Sequence, residues 1–95
     1  MHPSASSPVL TIYRRDGCHL CDDARQLLQV ELERRATRGE PVPRVREVDI
    51  DTNPQLHDRY HLRIPVLAIG DNEIELVTSE VAVRRFLERT LPALA

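Results

Sequence analysis

Val9-Leu10-Thr11-Ile12-Tyr13 runs directly into Arg14-Arg15-Asp16-Gly17 and then into Cys18-His19-Leu20-Cys21. The first five residues are β-branched, aliphatic or aromatic, the composition of a buried strand. The next four are polar and end in glycine, which marks a turn. From Cys18 onward Leu20, Ala24, Leu27, Leu28, Leu32 and Ala36 recur at three- and four-residue steps, with Asp23, Arg25, Gln26, Glu33 and Arg34 off that stripe. This spacing predicts an amphipathic helix that follows the strand at once. Asp22 and Asp23 suit its electropositive start, and Arg34, Arg35 and Arg38 its electronegative end. Gly39, Pro41 and Pro43 stop it.

Outward from this unit, Arg44–Ile50 carries Val45, Val48 and Ile50 and reads as a second strand with imperfect alternation. Asp51-Thr52-Asn53 supplies capping side chains and Pro54 a first helical residue for a short helix through Leu56 to Tyr60. Pro65-Val66-Leu67-Ala68-Ile69 is a third strand. The turn Gly70-Asp71-Asn72 leads it into a fourth, Glu73-Ile74-Glu75-Leu76-Val77. Thr78 or Ser79 caps a last helix whose apolar positions are Val81, Ala82, Phe86, Leu87 and Leu91. The order βαβαββα predicts an α/β domain built on a four-stranded mixed sheet flanked by helices. Its helix-linked strands run parallel and its hairpin antiparallel.

Ninety-five residues, 41% hydrophobic and 29% charged, suffice for one core and not for two. No apolar run approaches the roughly 20 residues of a membrane-spanning helix. Residues 1–8 (MHPSASSP) lack the basic and apolar regions of a secretory signal. We therefore expect a disordered tail over residues 1–8, one domain over 9–95, no membrane partner and a cytoplasmic monomer. All thirteen basic residues are arginines, interleaved with fifteen acidic ones for a net charge of −2. That pattern leaves no basic face to track phosphates. Tyr13, Tyr60 and Phe86 are too few for a platform of stacked bases, so a nucleic-acid partner is not expected either.

Cys18 and Cys21 are the only cysteines. A bridge between residues so close constrains the unfolded chain very little, so the pair is not a structural staple. A redox dithiol, half of a metal site and two incidental thiols remain. Where a strand hands over to a helix, the Cys18 sulfur faces backbone N–H groups that have no intrahelical partner. In such places thiol pKa values fall from about 8.5 to between roughly 3.5 and 7.5. Cys18 is thus the candidate nucleophile. Cys21, nearly on the same helical face, is the resolving thiol that attacks a mixed disulfide on Cys18. Arg14, Arg15 and a protonated His19 favour the thiolate, whereas Asp16, Asp22 and Asp23 oppose it. His57 and His61, spaced i, i+4, formally complete a Cys₂His₂ set. Thirty-five residues separate Cys21 from His57, however, where compact finger modules use about 12 to 15.

Gly17-Cys18-His19-Leu20-Cys21-Asp22, Ile64-Pro65-Val66 and the turn Gly70-Asp71-Asn72 together resemble the thioredoxin-like fold and, within it, the glutaredoxin family, from Val9 to Leu91. The resemblance implies a cis bond before Pro65, with that proline beside the sulfurs. It also implies an Ile64 backbone free to pair with substrate, and a dithiol from which metal is kept out. Glutathione enters as a possible co-substrate, its carboxylates paired by Arg14, Arg15 or Arg63. The chain also departs from the family. His19-Leu20 replaces the Pro-Tyr typical of dithiol members. Glu75-Leu76-Val77-Thr78-Ser79 stands where the family has Gly-Gly and then a capping Asp. Glu75 brings negative charge toward an anionic tripeptide, and side chains replace an open glycine surface.

The expected function is a thiol–disulfide oxidoreductase that reduces protein or glutathione mixed disulfides. Cys18 and Cys21 are its catalytic pair, and Arg14, Arg15, His19, Arg63, Ile64 and Pro65 its substrate-binding residues. It needs no bound cofactor and no metal, and takes electrons from an external reductase. The rival from another class is a non-catalytic metal-binding or redox-sensing interaction module.

Overall fold

A computed structural model describes residues 8–91. Residues 1–7 of the expected tail and residues 92–95 lie outside them. Pro8 does not behave as tail, because its carbonyl accepts the Arg44 N–H at 2.9 Å and joins the starts of two strands.

The elements are β1 (Val9–Arg14), α1 (His19–Thr37), β2 (Arg44–Asp49), α2 (Pro54–Tyr60), β3 (Val66–Ile69), β4 (Asn72–Ile74) and α3 (Glu80–Thr90), with a 3₁₀ turn at Ile50–Thr52 before α2. They form one α/β layer set around a four-stranded sheet of order β2-β1-β3-β4. β1 and β2 run parallel, with Leu10 opposite Val45 and Tyr13 opposite Val48. β3 lies antiparallel to both β1 and β4. The helix-linked pair is the parallel one, and the tight turn at Gly70 makes the antiparallel hairpin.

As a central strand, β1 is buried on both faces, which is why it reads as a continuous apolar run. Leu10 and Ile12 join Leu67 and Ile69 beneath Ala24 and Leu28 of α1 and Val83, Phe86 and Leu87 of α3. The other sheet face places Tyr13 and Val66 in a smaller cluster with Cys21, Ile50, Leu56, Tyr60 and Ile64. The dithiol therefore belongs to the second cluster and not to the main core.

Several boundaries and faces differ from the sequence expectation. β4 ends at Ile74 and not at Val77, because Leu76 takes a left-handed backbone conformation with φ 52°. The chain then leaves the ladder: Leu76 N–H bonds to Arg63 O at 2.9 Å and Val77 N–H to Pro65 O at 3.2 Å. On α1 the buried residues are Cys21, Ala24, Leu28, Glu31 and Arg35, whereas Leu20 and Ala36 face solvent. On α3 Val83 is buried and Val81 exposed. Of the two candidate caps for α3, Ser79 is the one used, its oxygen accepting Ala82 N–H at 3.1 Å. Asn53 does the same for Gln55 N–H at the start of α2, at 2.8 Å.

Candidate active site at the β1–α1 junction

Cys18 is the N-cap of α1. Its backbone is extended, and its sulfur accepts the Cys21 N–H at 3.1 Å, a position usually held by the oxygen of Ser, Thr, Asp or Asn. The helix therefore directs one of its unpartnered donors at the Cys18 sulfur. Cys18 and Cys21 are joined as a disulfide with their Cα atoms 5.2 Å apart. Their surroundings differ: Cys21 is 1% exposed, and Cys18 is partly open to solvent. Only Cys18 is open to a third sulfur approaching from outside. Gly17, with φ 80°, allows the turn that delivers Cys18 to the helix start.

The Ile64–Pro65 peptide bond is cis. Ile64 is buried in the same cluster as both sulfur-bearing residues, so the loop before β3 adjoins the dithiol. Of the Ile64 backbone groups expected to pair with substrate, the N–H is already engaged. It bonds to Tyr60 O at 3.0 Å, sharing that carbonyl with Arg63 N–H at 2.8 Å. The carbonyls of Arg63 and Pro65 are also taken, by Leu76 and Val77.

The arginines expected to meet substrate carboxylates already have acidic partners. Arg14 binds Asp16 at 3.0 Å and lies 3.8 Å from Glu47. Arg15 binds Asp51 at 3.0 Å, an exposed pair of small energetic weight. Arg63 is the most committed, bonded to Glu73 at 2.9 Å and Glu75 at 3.1 Å. His19, the first residue of α1, is exposed at the mouth of the dithiol. His57 and His61 stack on each other with centroids 4.8 Å apart. Among the described residues no three His, Cys, Asp or Glu side chains converge into a set that could hold a metal ion.

Beneath the dithiol lies a polar network centred on Tyr60, which the sequence shows only as the end of the short helix. The Tyr60 ring stacks on Tyr13 with centroids 4.2 Å apart, and its hydroxyl donates to Glu73 at 2.5 Å. Burial, reinforced by the Glu73 carboxylate, pushes the Tyr60 phenol well above its ordinary value. Burial also acts to raise Glu73, but the hydrogen bonds from Tyr60 and Arg63, with Arg59 nearby, outweigh it and hold that carboxyl below the usual glutamate range. The guanidinium groups of Arg59 and Arg63 lie 5.2 and 5.1 Å from the Tyr60 ring centre. This network ties β4 to the loop before β3. The sequence places Glu73 in the fourth strand and Tyr60 at the end of the short helix, and neither position indicates that they meet.

A family model described as Glutaredoxin-like domain (DUF836) matches residues 9–91. Among solved structures, protein XcR50 from X. campestris is 30% identical, covering 84% of this chain and 96% of that one with a TM-score of 0.66. Protein Ne2328 from Nitrosomonas europaea is 28% identical, covering 79% and 81% with a TM-score of 0.54. No curated protein matches.

Proposed function

The chain belongs to the glutaredoxin-like domain family, and from that membership we propose that it is a thiol–disulfide oxidoreductase working through Cys18 and Cys21. The observation that carries this reading is the asymmetry of the pair. The Cys18 sulfur is open and accepts a helix N-terminal N–H at 3.1 Å, while Cys21 is sealed behind it. In the reduced protein the Cys18 thiolate attacks one sulfur of a substrate disulfide, forms a mixed disulfide and expels the other sulfur as a thiolate. Cys21 then loses its proton and attacks the Cys18 sulfur. The Cys18–substrate bond breaks, the second substrate thiolate leaves, and the 18–21 disulfide forms. The substrate gains two electrons and the protein loses two. An external thiol or reductase resets the pair.

Two substitutions test the scheme. Cys18→Ser abolishes disulfide reduction. Cys21→Ser leaves the first attack intact and accumulates mixed disulfides that mass spectrometry detects. Thiolate absorbance of the reduced protein titrates with a pKa below the ordinary value of about 8.5, and that transition disappears in Cys18→Ser. A Cys18→Ser protein that turned over at the wild-type rate would end this reading.

A further inference from the structure

Leu76 is a bulky residue in the left-handed region, φ 52°, and 51% exposed. Glycine is the residue that adopts this conformation without penalty. Strain of this kind at a side chain that little packing rewards points toward function. The backbone around Leu76 fixes where it sits. Its N–H bonds to Arg63 O, and the next N–H bonds to Pro65 O, so Leu76 lies against the loop whose Ile64 packs with Cys18 and Cys21. Leu20, between the two cysteines in sequence, is 50% exposed. Leu62, just before the same loop, is exposed as well. An open cavity of about 510 Å³ adjoins Leu76.

Resting on the dithiol reading, we propose that Leu76 and Leu20 form an apolar clamp selecting polypeptide disulfides with apolar residues beside the cysteine over glutathione disulfide. The charges argue in the same direction. Glutathione carries two carboxylates, and each arginine expected to receive them, Arg14, Arg15 and Arg63, is already paired with an acidic side chain. Glu73 and Glu75 of the adjoining cavity are themselves held by Arg63, and Arg85 and Arg89 line that cavity with them, so its charge favours neither sign. The Ile64 N–H is committed to Tyr60 O, which removes one backbone donor for aligning a substrate. With the Ile64 N–H and these three arginines engaged, the exposed side chains of Leu76 and Leu20 offer apolar contact on this rim.

The test is single-turnover oxidation of the reduced full chain, followed by loss of its free thiols. Three probes are compared: the disulfide dimers of acetyl-Leu-Cys-Leu-amide and acetyl-Ser-Cys-Ser-amide, and glutathione disulfide. Each rate is divided by that of dithiothreitol on the same probe to remove intrinsic reactivity. The leucine probe is expected to react at least about tenfold faster than the serine probe, about 1.4 kcal/mol, which partial burial of leucine against leucine supplies. Glutathione disulfide is expected to be no faster than the serine probe. In Leu76→Gly, which suits the left-handed backbone and keeps the fold, the preference for the leucine over the serine probe drops to about threefold or less. Equal rates for the leucine and serine probes overturn the clamp, as does glutathione disulfide being the fastest, or a preference that survives Leu76→Gly. In each of those cases the dithiol chemistry stands. If no probe oxidises the protein, the dithiol reading itself falls and the clamp falls with it.

Discussion

Tyr60 shows how one side chain can serve packing and site geometry together. Its ring fills the space beneath Tyr13, and its hydroxyl reaches Glu73 across to the hairpin. Tyr60→Phe keeps the ring and removes the donor. Glu73 then retains its bond to Arg63 but loses a partner in a half-buried place. The expected loss is about 1–2 kcal/mol, on the scale of a charge-assisted hydrogen bond, read as a lower urea midpoint with an unchanged slope. Leu76 is the opposite case, a residue whose backbone conformation costs stability. Leu76→Gly relieves a left-handed penalty of about 1–2 kcal/mol and adds unfolded-state freedom of about 0.4–1 kcal/mol. Its urea midpoint is therefore expected to equal or slightly exceed that of the wild type. A clear fall in that midpoint would mean that Leu76 is held by packing and not strained for a purpose.

At the scale of elements, the α1–α3 contact rests partly on an ion pair that periodicity does not reveal. Glu31 is 1% exposed, and Arg84 reaches it through Nε at 3.1 Å and Nη2 at 3.3 Å. The hydrogen bond from Arg84 outweighs the burial penalty and holds the Glu31 carboxyl below the usual glutamate range. A carboxyl whose folded pKa is depressed gives stability that is complete above its unfolded value, about 4.3, and is lost as pH falls through the lower folded value. Thermal unfolding of the wild type should weaken between about pH 5 and pH 3 more steeply than that of Glu31→Gln, which has no proton to take up in this window. Parallel curves would show that the pair is electrostatically idle. The same pair explains why α1 was only partly legible. Its existence, start and end follow from the Leu spacing, Cys18 and Gly39, and the other elements follow the apolar runs and caps in the expected order, although β4 stops at Ile74 where the run continues to Val77. The inward face, however, passes from Ala24 and Leu28 to Glu31 and Arg35, not to Leu32 and Ala36. Arg35 is buried because its Nε donates to Pro41 O at 2.8 Å, and a charge buried by pairing across 53 positions, as Glu31 is, leaves no local trace. The dithiol was legible because its chemistry lies in four consecutive residues. The occupied Ile64 N–H depends on how the end of α2 winds onto the Tyr60 carbonyl, and the left-handed Leu76 on a bond to the distant Arg63 carbonyl, so no residue type announced either.

Across the whole molecule, the two clusters divide stability from chemistry. The larger joins α1 and α3 to one face of the sheet and contains most of the large apolar side chains, including Phe86, Leu28 and Leu67. The smaller holds Cys21, Tyr60 and Ile64 on the other face, with Cys18 at its edge. The two central strands contribute to both, β1 through Leu10 and Ile12 to the first and Tyr13 to the second, and β3 through Leu67 and Ile69 to the first and Val66 to the second. A cavity made in the larger cluster should therefore be felt as lost stability while the environment of the Cys18 sulfur persists, since its helix donor comes from the first turn of α1 and not from the core beneath. Leu28→Ala, two turns further along α1, tests this separation. Its expected cost is about 2–5 kcal/mol, a large share of the 5–15 kcal/mol typical of a domain. In the fraction that remains folded the Cys18 thiolate should titrate as in the wild type. If the thiolate pKa rose toward that of a free cysteine along with the stability loss, the helix start would depend on core packing. The two clusters would then form one cooperative unit, and the acidity of Cys18 would be a property of the whole fold.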